Sequence, residues 1–345
     1  MHFASDNSGP VHGEVLDALA AANQGYAMAY GADSLMNEVR DRLRAVFEAP
    51  GAAVYLVTTG TAANSLALST LGSPWQTVFC SPVAHIHEDE CNAPEFFSGG
   101  AKLTLVGQND KMVPDALRAA IEKEETRGVH GPQRGPVSLT QVTERGSVYS
   151  LAEIEALCNL AMEFGLPVHM DGARFANALV ALNCSPAEMT WKAGVDAVSF
   201  GGTKNGCMGV EAVIFFDEAR EWEFELRRKR GAHLISKHRY LSAQMAAYLK
   251  DDLWLRSARQ ANANCARLAD GLRAAGARFK HEPQANMVFA SFPRHLHRKL
   301  HDAGVIYHLW DGELDGTDEA EHVTCRMVCD WSLPEAEIDR FLSLL

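Results

Sequence analysis

Positive charge is scarce in this sequence: 32 Lys and Arg stand against 44 Asp and Glu, a formal net charge of −12. That deficit argues against sequence-independent binding to nucleic acid or to an anionic membrane, both of which reward a net positive field. Any anionic small molecule must then be caught by local arginines. Long apolar runs are also missing, and none approaches the ~18 residues of a membrane span. Met1-His-Phe-Ala-Ser-Asp6 has no basic stretch followed by an apolar one, so no secretory signal is expected. The eight cysteines (80, 91, 158, 184, 207, 265, 325, 329) have no framework spacing, and the nearest pair, Cys325 and Cys329, is not a Cys-x-x-Cys. Reduced buried thiols in a soluble, cytoplasmic protein are the expectation. Repeats and low-complexity tracts are absent, as are the glycine spacings of Rossmann and Walker loops.

What is present is an ordinary globular composition, 47% hydrophobic and 22% charged, over 345 residues. That length supports one large domain and a smaller one. Short buried strands alternate with helices from residue 54 to 215, which predicts an α/β fold: a mostly parallel sheet covered on both faces. Predicted strands include 54–57, 78–80, 102–106, 137–142, 166–171, 197–200 and 212–216, with a loop at 131–136. Predicted helices cover 11–23, 34–47, the stretch up to Leu71, and 150–164, the last opened by a Ser150/Glu153 capping box. A long helix is expected from Leu241 towards Ala275. Strands at 288–290, 305–307 and 323–329 and helices at 296–303 and 335–345 follow in a small α+β domain. The division expected is 1–245 and 246–345, with residues 1–12 reaching the site.

The chain turns on Asp196-Ala-Val-Ser-Phe-Gly-Gly-Thr-Lys204-Asn-Gly206. An apolar strand running into two glycines brings the backbone where a side chain would obstruct it. Lys204 is then either a solvated loop lysine or an amine kept for Schiff-base chemistry. A second buried strand, Leu166-Pro-Val-His-Met-Asp171-Gly-Ala-Arg174, ends in a carboxylate and an arginine. Asp171 and Lys204 together supply what pyridoxal phosphate needs, one for its pyridinium nitrogen and one for its aldehyde. The bland reading of Asp171 is a helix N-cap.

Asp171-Gly-Ala-Arg174 with Ser199-Phe-Gly-Gly-Thr-Lys204-Asn resembles the fold-type I pyridoxal phosphate enzymes and, within them, the low-specificity L-threonine aldolases. The resemblance runs over almost the whole chain. It implies the aspartate aminotransferase-like three-layer α/β/α domain with a small C-terminal domain, and a homotetramer, a dimer of dimers with shared sites. The implied reaction is cleavage of a β-hydroxy-α-amino acid to glycine and an aldehyde. Threonine, allo-threonine and phenylserine all remain open as substrates. An aminotransferase or β-eliminating lyase on the same scaffold is the rival reading.

Residue by residue, the resemblance assigns the cofactor phosphate to Gly60, Thr61 and Ala62. They follow Val54–Val57 at a helix start, where free N–H groups and the helix dipole favour an anion; a capped helix without ligand is the alternative. His85 of Ser81-Pro-Val-Ala-His-Ile-His-Glu-Asp-Glu90 takes the position that stacks on the cofactor ring. It is also the side-chain candidate for the base that accepts the β-hydroxyl proton, with a bound water as competitor. His87 and the three acids beside it invite a metal reading, but adjacent groups cannot all converge on one ion, and no metal is expected. The substrate carboxylate is assigned to Arg174 and Arg326 with Ser5, because a guanidinium fork binds a carboxylate bidentately. A structural ion pair is the alternative for Arg326. Tyr30-Gly-Ala-Asp33 matches a family motif, with Asp33 as a helix cap the alternative. In the basic run Glu225–Arg230, a solvated face by default, Lys229 is implied to reach a neighbouring subunit's phosphate. The second histidine of many threonine aldolases is missing from the turn Gln141-Val-Thr143-Glu144-Arg-Gly146.

Overall fold

A computed structural model describes all 345 residues. Its larger sheet contains β1 (Ala53–Val57), β2 (Gln76–Cys80), β3 (Lys102–Leu105), β4 (Gln133–Thr140), β5 (Val168–Gly172), β6 (Ala197–Gly201) and β7 (Glu211–Phe215), in the order β1-β7-β6-β5-β4-β2-β3. Only β7 runs antiparallel to its neighbours; the pairs among β2 to β6 are parallel. The side-chain period of two shows in β1. Val54 and Leu56 enter the largest core with Ala212 and Ile214, while Ala53, Tyr55 and Val57 enter a second core with Val213 and Phe215. Both faces are thus buried, which is why these strands read as nearly continuous apolar runs. Helices Ser34–Val46, Leu151–Glu163 and Phe175–Leu182 contribute to the first core, and Gly60–Leu71 and Glu221–Arg230 to the second. The expected three-layer α/β/α architecture is the one observed.

A second sheet holds β8 (Arg278–Phe279), β9 (Met287–Pro293), β10 (His308–Asp311) and β11 (His322–Val328), all antiparallel, in the order β10-β11-β9-β8. Its core includes Leu268, Leu272, Phe292, Cys325 and Phe341, and also Phe3 from the far end of the chain. Phe3 N–H donates to the Ile306 carbonyl at 2.8 Å and its own carbonyl accepts from Val328 N–H at 2.8 Å. That pairing delivers the next residues, Ala4 to Asp6, to the junction of the two sheets.

Local expectations fared unevenly. The Ser150/Glu153 capping box is present. The 131–136 loop is not: β4 begins at Gln133, and a Cβ on Gly135 would stand 2.5 Å from the Thr77 carbonyl, so a glycine in this strand marks close backbone approach rather than a turn. The helix expected from Leu241 to Ala275 is two helices, Arg239–Leu249 and Leu253–Ala274. They are broken where Asp251 and Asp252 take φ of 50° and 53°, a region Asp tolerates through local hydrogen bonding. Val305–Tyr307 is no strand; Ile306 makes one isolated bridge to His2, and β10 starts at His308.

Candidate active site

At one edge of the larger sheet the C-terminal ends of β1, β2, β4, β5 and β6 meet the start of β7, where open α/β sheets place their ligands. Lys204 follows β6 in the single turn Thr203–Asn205. The two glycines before it are required by sterics. A Cβ on Gly201 would lie 2.5 Å from the Ala173 carbonyl, and one on Gly202 would lie 2.6 Å from the Val210 carbonyl. The turn is pinned on both sides: Gly202 N–H donates to Glu211 Oε2 at 2.8 Å, and Asn205 Nδ2 donates to the Tyr248 hydroxyl at 2.7 Å. Burial pushes the Glu211 carboxyl up, against the pull of Thr203, Gly202 and Lys204.

One strand away, Asp171 pairs with Ser199 in the β5–β6 ladder. Its Oδ2 accepts from Asn64 Nδ2 at 2.9 Å and its Oδ1 from Ala173 N–H at 3.0 Å. The helix that follows starts only at Phe175, so Asp171 is not its N-cap. Two residues deeper, His169 bridges Ser138 and Ser199 at 3.0 Å each, and burial lowers it to about 4. This neutral imidazole cross-ties three strands beneath the site.

Helix Gly60–Leu71 points its start at the same edge. Thr59 Oγ1 accepts from Ala62 N–H at 3.2 Å, and the Thr59 carbonyl accepts from Ala63 N–H. The cap therefore uses the Ala62 amide, one of the three expected to hold phosphate. Gly60 and Thr61 precede the first intrahelical bonds, and a Cβ on Gly60 would meet nothing within 4 Å.

His85 opens the short helix His85–Glu88, so His85 and His87 do not share a strand face. His87 is exposed. The His85 N–H donates to Glu144 Oε1 at 2.7 Å, and its Nδ1 hydrogen-bonds Glu90 Oε1 at 2.9 Å. That bond raises the imidazole above its ordinary value, although burial opposes it. Glu90 is itself pushed up, by burial first and despite its bonds to His85 and Asn64, so the pair holds a proton more firmly than either would alone. Glu144, whose Oε1 also accepts from the Thr140 hydroxyl at 2.9 Å, is raised to about 7 by burial and then by the Asp171 charge.

The two arginines come to this edge differently from the expectation. Arg174 spends Nε and Nη2 on Asp6, at 2.7 and 2.9 Å, and Asn286 Nδ2 donates to the same carboxylate at 3.1 Å. Burial would push Asp6 up, but Arg174 outweighs it and holds the carboxyl below its usual range. Arg174 keeps Nη1 and the second hydrogen of Nη2 for a ligand. Arg326 donates Nη2 to the Ala4 carbonyl at 3.2 Å, stands over the Trp310 ring, and has a buried Nε without partner. Burial and the neighbouring Arg174 lower its pKa. It is no structural ion pair. Ser5, between Ala4 and Asp6, accepts from Asn7 N–H at 3.1 Å.

Three residues of the expected set have partners of their own. Asp33 is a buried helix cap, accepting from Met36 N–H at 3.0 Å and from the Ser242 hydroxyl at 3.3 Å. Tyr30 and Lys229 meet each other, with Nζ 4.7 Å from the ring centroid. The solvated basic face needs one correction: Arg228 is buried, paired with Glu225 and lying over Tyr55.

Pyridoxal phosphate requires an amine, an anion beside its ring nitrogen and donors for its phosphate. Lys204, Asp171 and the uncommitted amides of Gly60 and Thr61 offer these at one edge, and the donor set fits the group. The family described as beta-eliminating lyase matches residues 2–293. This chain belongs to the beta-eliminating lyase family. Within it, the chain is 40% identical over 339 residues to a low specificity L-threonine aldolase of Pseudomonas sp. (strain NCIMB 10558), covering 97% of this chain and 94% of that one. It is 40% identical over 346 residues to the Pseudomonas aeruginosa protein of the same name, covering 99% and 95%. Among solved structures, Leishmania major threonine aldolase superposes with a TM-score of 0.92 at 26% identity, covering 99% of this chain and 98% of that one.

The residues bonded around this site that sequence reasoning missed are Asp6, Asn64, Glu90, Glu144 and Glu211. Asp6, Asn64 and Glu144 are distant partners of residues that were found, while Glu90 and Glu211 lie five and nine residues from theirs. Glu90, five residues beyond His85 and outside its short helix, is set apart from Glu88 and Asp89 only by burial, which spacing does not show.

Proposed function

We propose that this protein is a pyridoxal phosphate-dependent aldehyde-lyase. It cleaves L-threonine, L-allo-threonine and related β-hydroxy-α-amino acids to glycine and an aldehyde. The observation that carries the reading is the gathering of Lys204, Asp171, His85, Arg174 and Arg326 at one sheet edge, in a chain whose near full-length relatives are named low specificity L-threonine aldolase. When bound, the cofactor supplies an electron sink for the carbon–carbon bond that breaks. Lys204 would hold the aldehyde carbon. Asp171, already accepting from Asn64 and Ala173, keeps a proton on the ring nitrogen. Gly60 and Thr61 give their N–H groups to the phosphate. Arg326 and the remaining donors of Arg174 grip the substrate carboxylate with Ser5, and that grip decides which bond at Cα stands perpendicular to the ring. His85 would stack on the ring and would take the β-hydroxyl proton.

Two finer proposals accompany this reading. Tyr26, Met28 and Tyr30 form a strongly exposed apolar loop beside Lys229, a surface suited to a second subunit, and we propose a dimer of dimers whose sites are shared. A cytoplasmic location is supported by eight free thiols, six of them buried. The test of the main reading is a panel of L- and D-threonine, their allo isomers and phenylserine. Glycine with acetaldehyde or benzaldehyde is the expected product pair. Keto acid with ammonia would replace the aldolase by a β-eliminating lyase or aminotransferase.

A further inference from the structure

Three side chains continue inward from His85 as one hydrogen-bonded line. His85 Nδ1 meets Glu90 Oε1 at 2.9 Å, Asn64 Nδ2 donates to the same Glu90 Oε1 at 2.9 Å, and Asn64 Nδ2 also donates to Asp171 Oδ2 at 2.9 Å. An amide nitrogen carries two hydrogens, so Asn64 serves both carboxylates; the reverse orientation would face its oxygen with two acceptors. Glu90 is therefore anchored from behind, and its Oε2 is buried without a partner. The two ends of the His85–Glu90 pair differ in exposure: the Glu90 side chain is 0% exposed and the imidazole 36%. The histidine is the end that faces outward, and the carboxylate is its fixed support.

A carboxylate at Nδ1 requires a hydrogen there, which leaves the lone pair on Nε2. We propose that Glu90 is a positioning residue for the cleavage reaction, fixing His85 as the Nδ1–H tautomer so that Nε2 is the atom that receives the β-hydroxyl proton. This inference rests on the aldolase reading. In the step, the oxygen–hydrogen bond of the substrate breaks and a nitrogen–hydrogen bond forms at Nε2. The Nδ1 hydrogen stays where it is, and the positive ring is balanced by Glu90, which takes up no proton. The other groups facing His85 are Asp171 and Lys204, which act on it in opposite senses, and Glu144 at its backbone N–H. None of these three bonds the imidazole, so the tautomer depends on Glu90.

The bland alternative is that Glu90 only secures the short helix His85–Glu88. Nitrogen-15 histidine NMR of the holoenzyme, with the pH profile of kcat/KM, separates the two. In the wild type, His85 should show a protonated Nδ1 and a bare Nε2. Glu90→Gln keeps an oxygen acceptor and should keep that tautomer. Without the negative charge, the acidic limb of its profile should move to lower pH and the plateau should drop about tenfold. Glu90→Leu should lose the tautomer preference as well, with KM for the amino acid little changed because the carboxylate grip lies elsewhere. A Gln variant whose acidic limb stays at the wild-type pH overturns the proposal, as does a Leu variant that retains the tautomer. The Gln variant is nearly isosteric and decides the matter even where Leu does not fold. A wild-type enzyme that forms no glycine from any β-hydroxy-α-amino acid sinks the aldolase reading instead, and the NMR signal still reports on Glu90.

Discussion

Lys204 stands in a turn fastened by Glu211, nine residues along from Gly202. Arg174 and Arg326 are held by Asp6 and Ala4, which lie 168 and 322 residues away. The ring end of the pocket is thus built largely from neighbouring strands of one sheet, each closing on a short motif. The carboxylate end is assembled where the first residues of the chain cross between two sheets. Short-range construction leaves a signature in sequence order. Long-range construction leaves single residues whose meaning appears only on folding.

The difference predicts how each end breaks. Lys204→Ala should abolish both the visible absorption band of reconstituted protein and all cleavage, and borohydride should no longer tether the cofactor. Residual cleavage of threonine by that variant would show that the ring end has been misassigned. Arg326→Leu should leave the band intact while kcat/KM falls by roughly 30- to 100-fold, about 2–3 kcal/mol for a charge-assisted contact, chiefly through KM. Loss of the band in that variant would mean that the two ends are not separable.

The sequence read well where one element carries the whole meaning. Gly201-Gly202-Thr203-Lys204 was legible because paired glycines after an apolar strand mark close backbone approach, here by the Ala173 and Val210 carbonyls, and the sheet was legible because strands buried on both faces are uniformly apolar. Asp33 was left undecided between cap and functional loop, and the structure makes it a cap. Arg174 was found, but not that Asp6 occupies most of its fork. Nothing in Ser5-Asp6-Asn7 distinguishes a turn aspartate from the partner of a buried guanidinium. Glu90 was seen only as one acid among three, because exposure, not spacing, separates it from Glu88 and Asp89.

Asp6 sharpens the comparison further. Its carboxylate is 2% exposed and bonded twice to Arg174, so Asp6→Ala leaves a buried charge uncompensated and should cost about 3–5 kcal/mol in urea unfolding. Its folded pKa is depressed, so the stabilisation it gives is present above the ordinary carboxylate range and fades as pH falls through the folded value. An Asp6→Ala protein as stable as the wild type at pH 7 would show that the crossing segment is not structurally committed.

Glu144, at the ring end, has the opposite sign and the smallest expected effect. Its carboxyl is raised from 4.5 to about 7. Below pH 4.5 it is protonated in both folded and unfolded chains and contributes nothing to the balance. Between 4.5 and 7 the unfolded chain releases its proton first, and the folded state loses stability. Above 7 that loss is constant, at up to about 3 kcal/mol. Glu144→Gln keeps an oxygen for the His85 N–H and the Thr140 hydroxyl but cannot ionise. The variant should therefore match the wild type in urea unfolding near pH 4.5 and exceed it at pH 8. Equal stability at both pH values would place Glu144 with the neutralised carboxylates of the clamp. A gain confined to high pH would mark the ring end as the part of the fold where charge is held at a cost to stability, the usual signature of a site kept for chemistry.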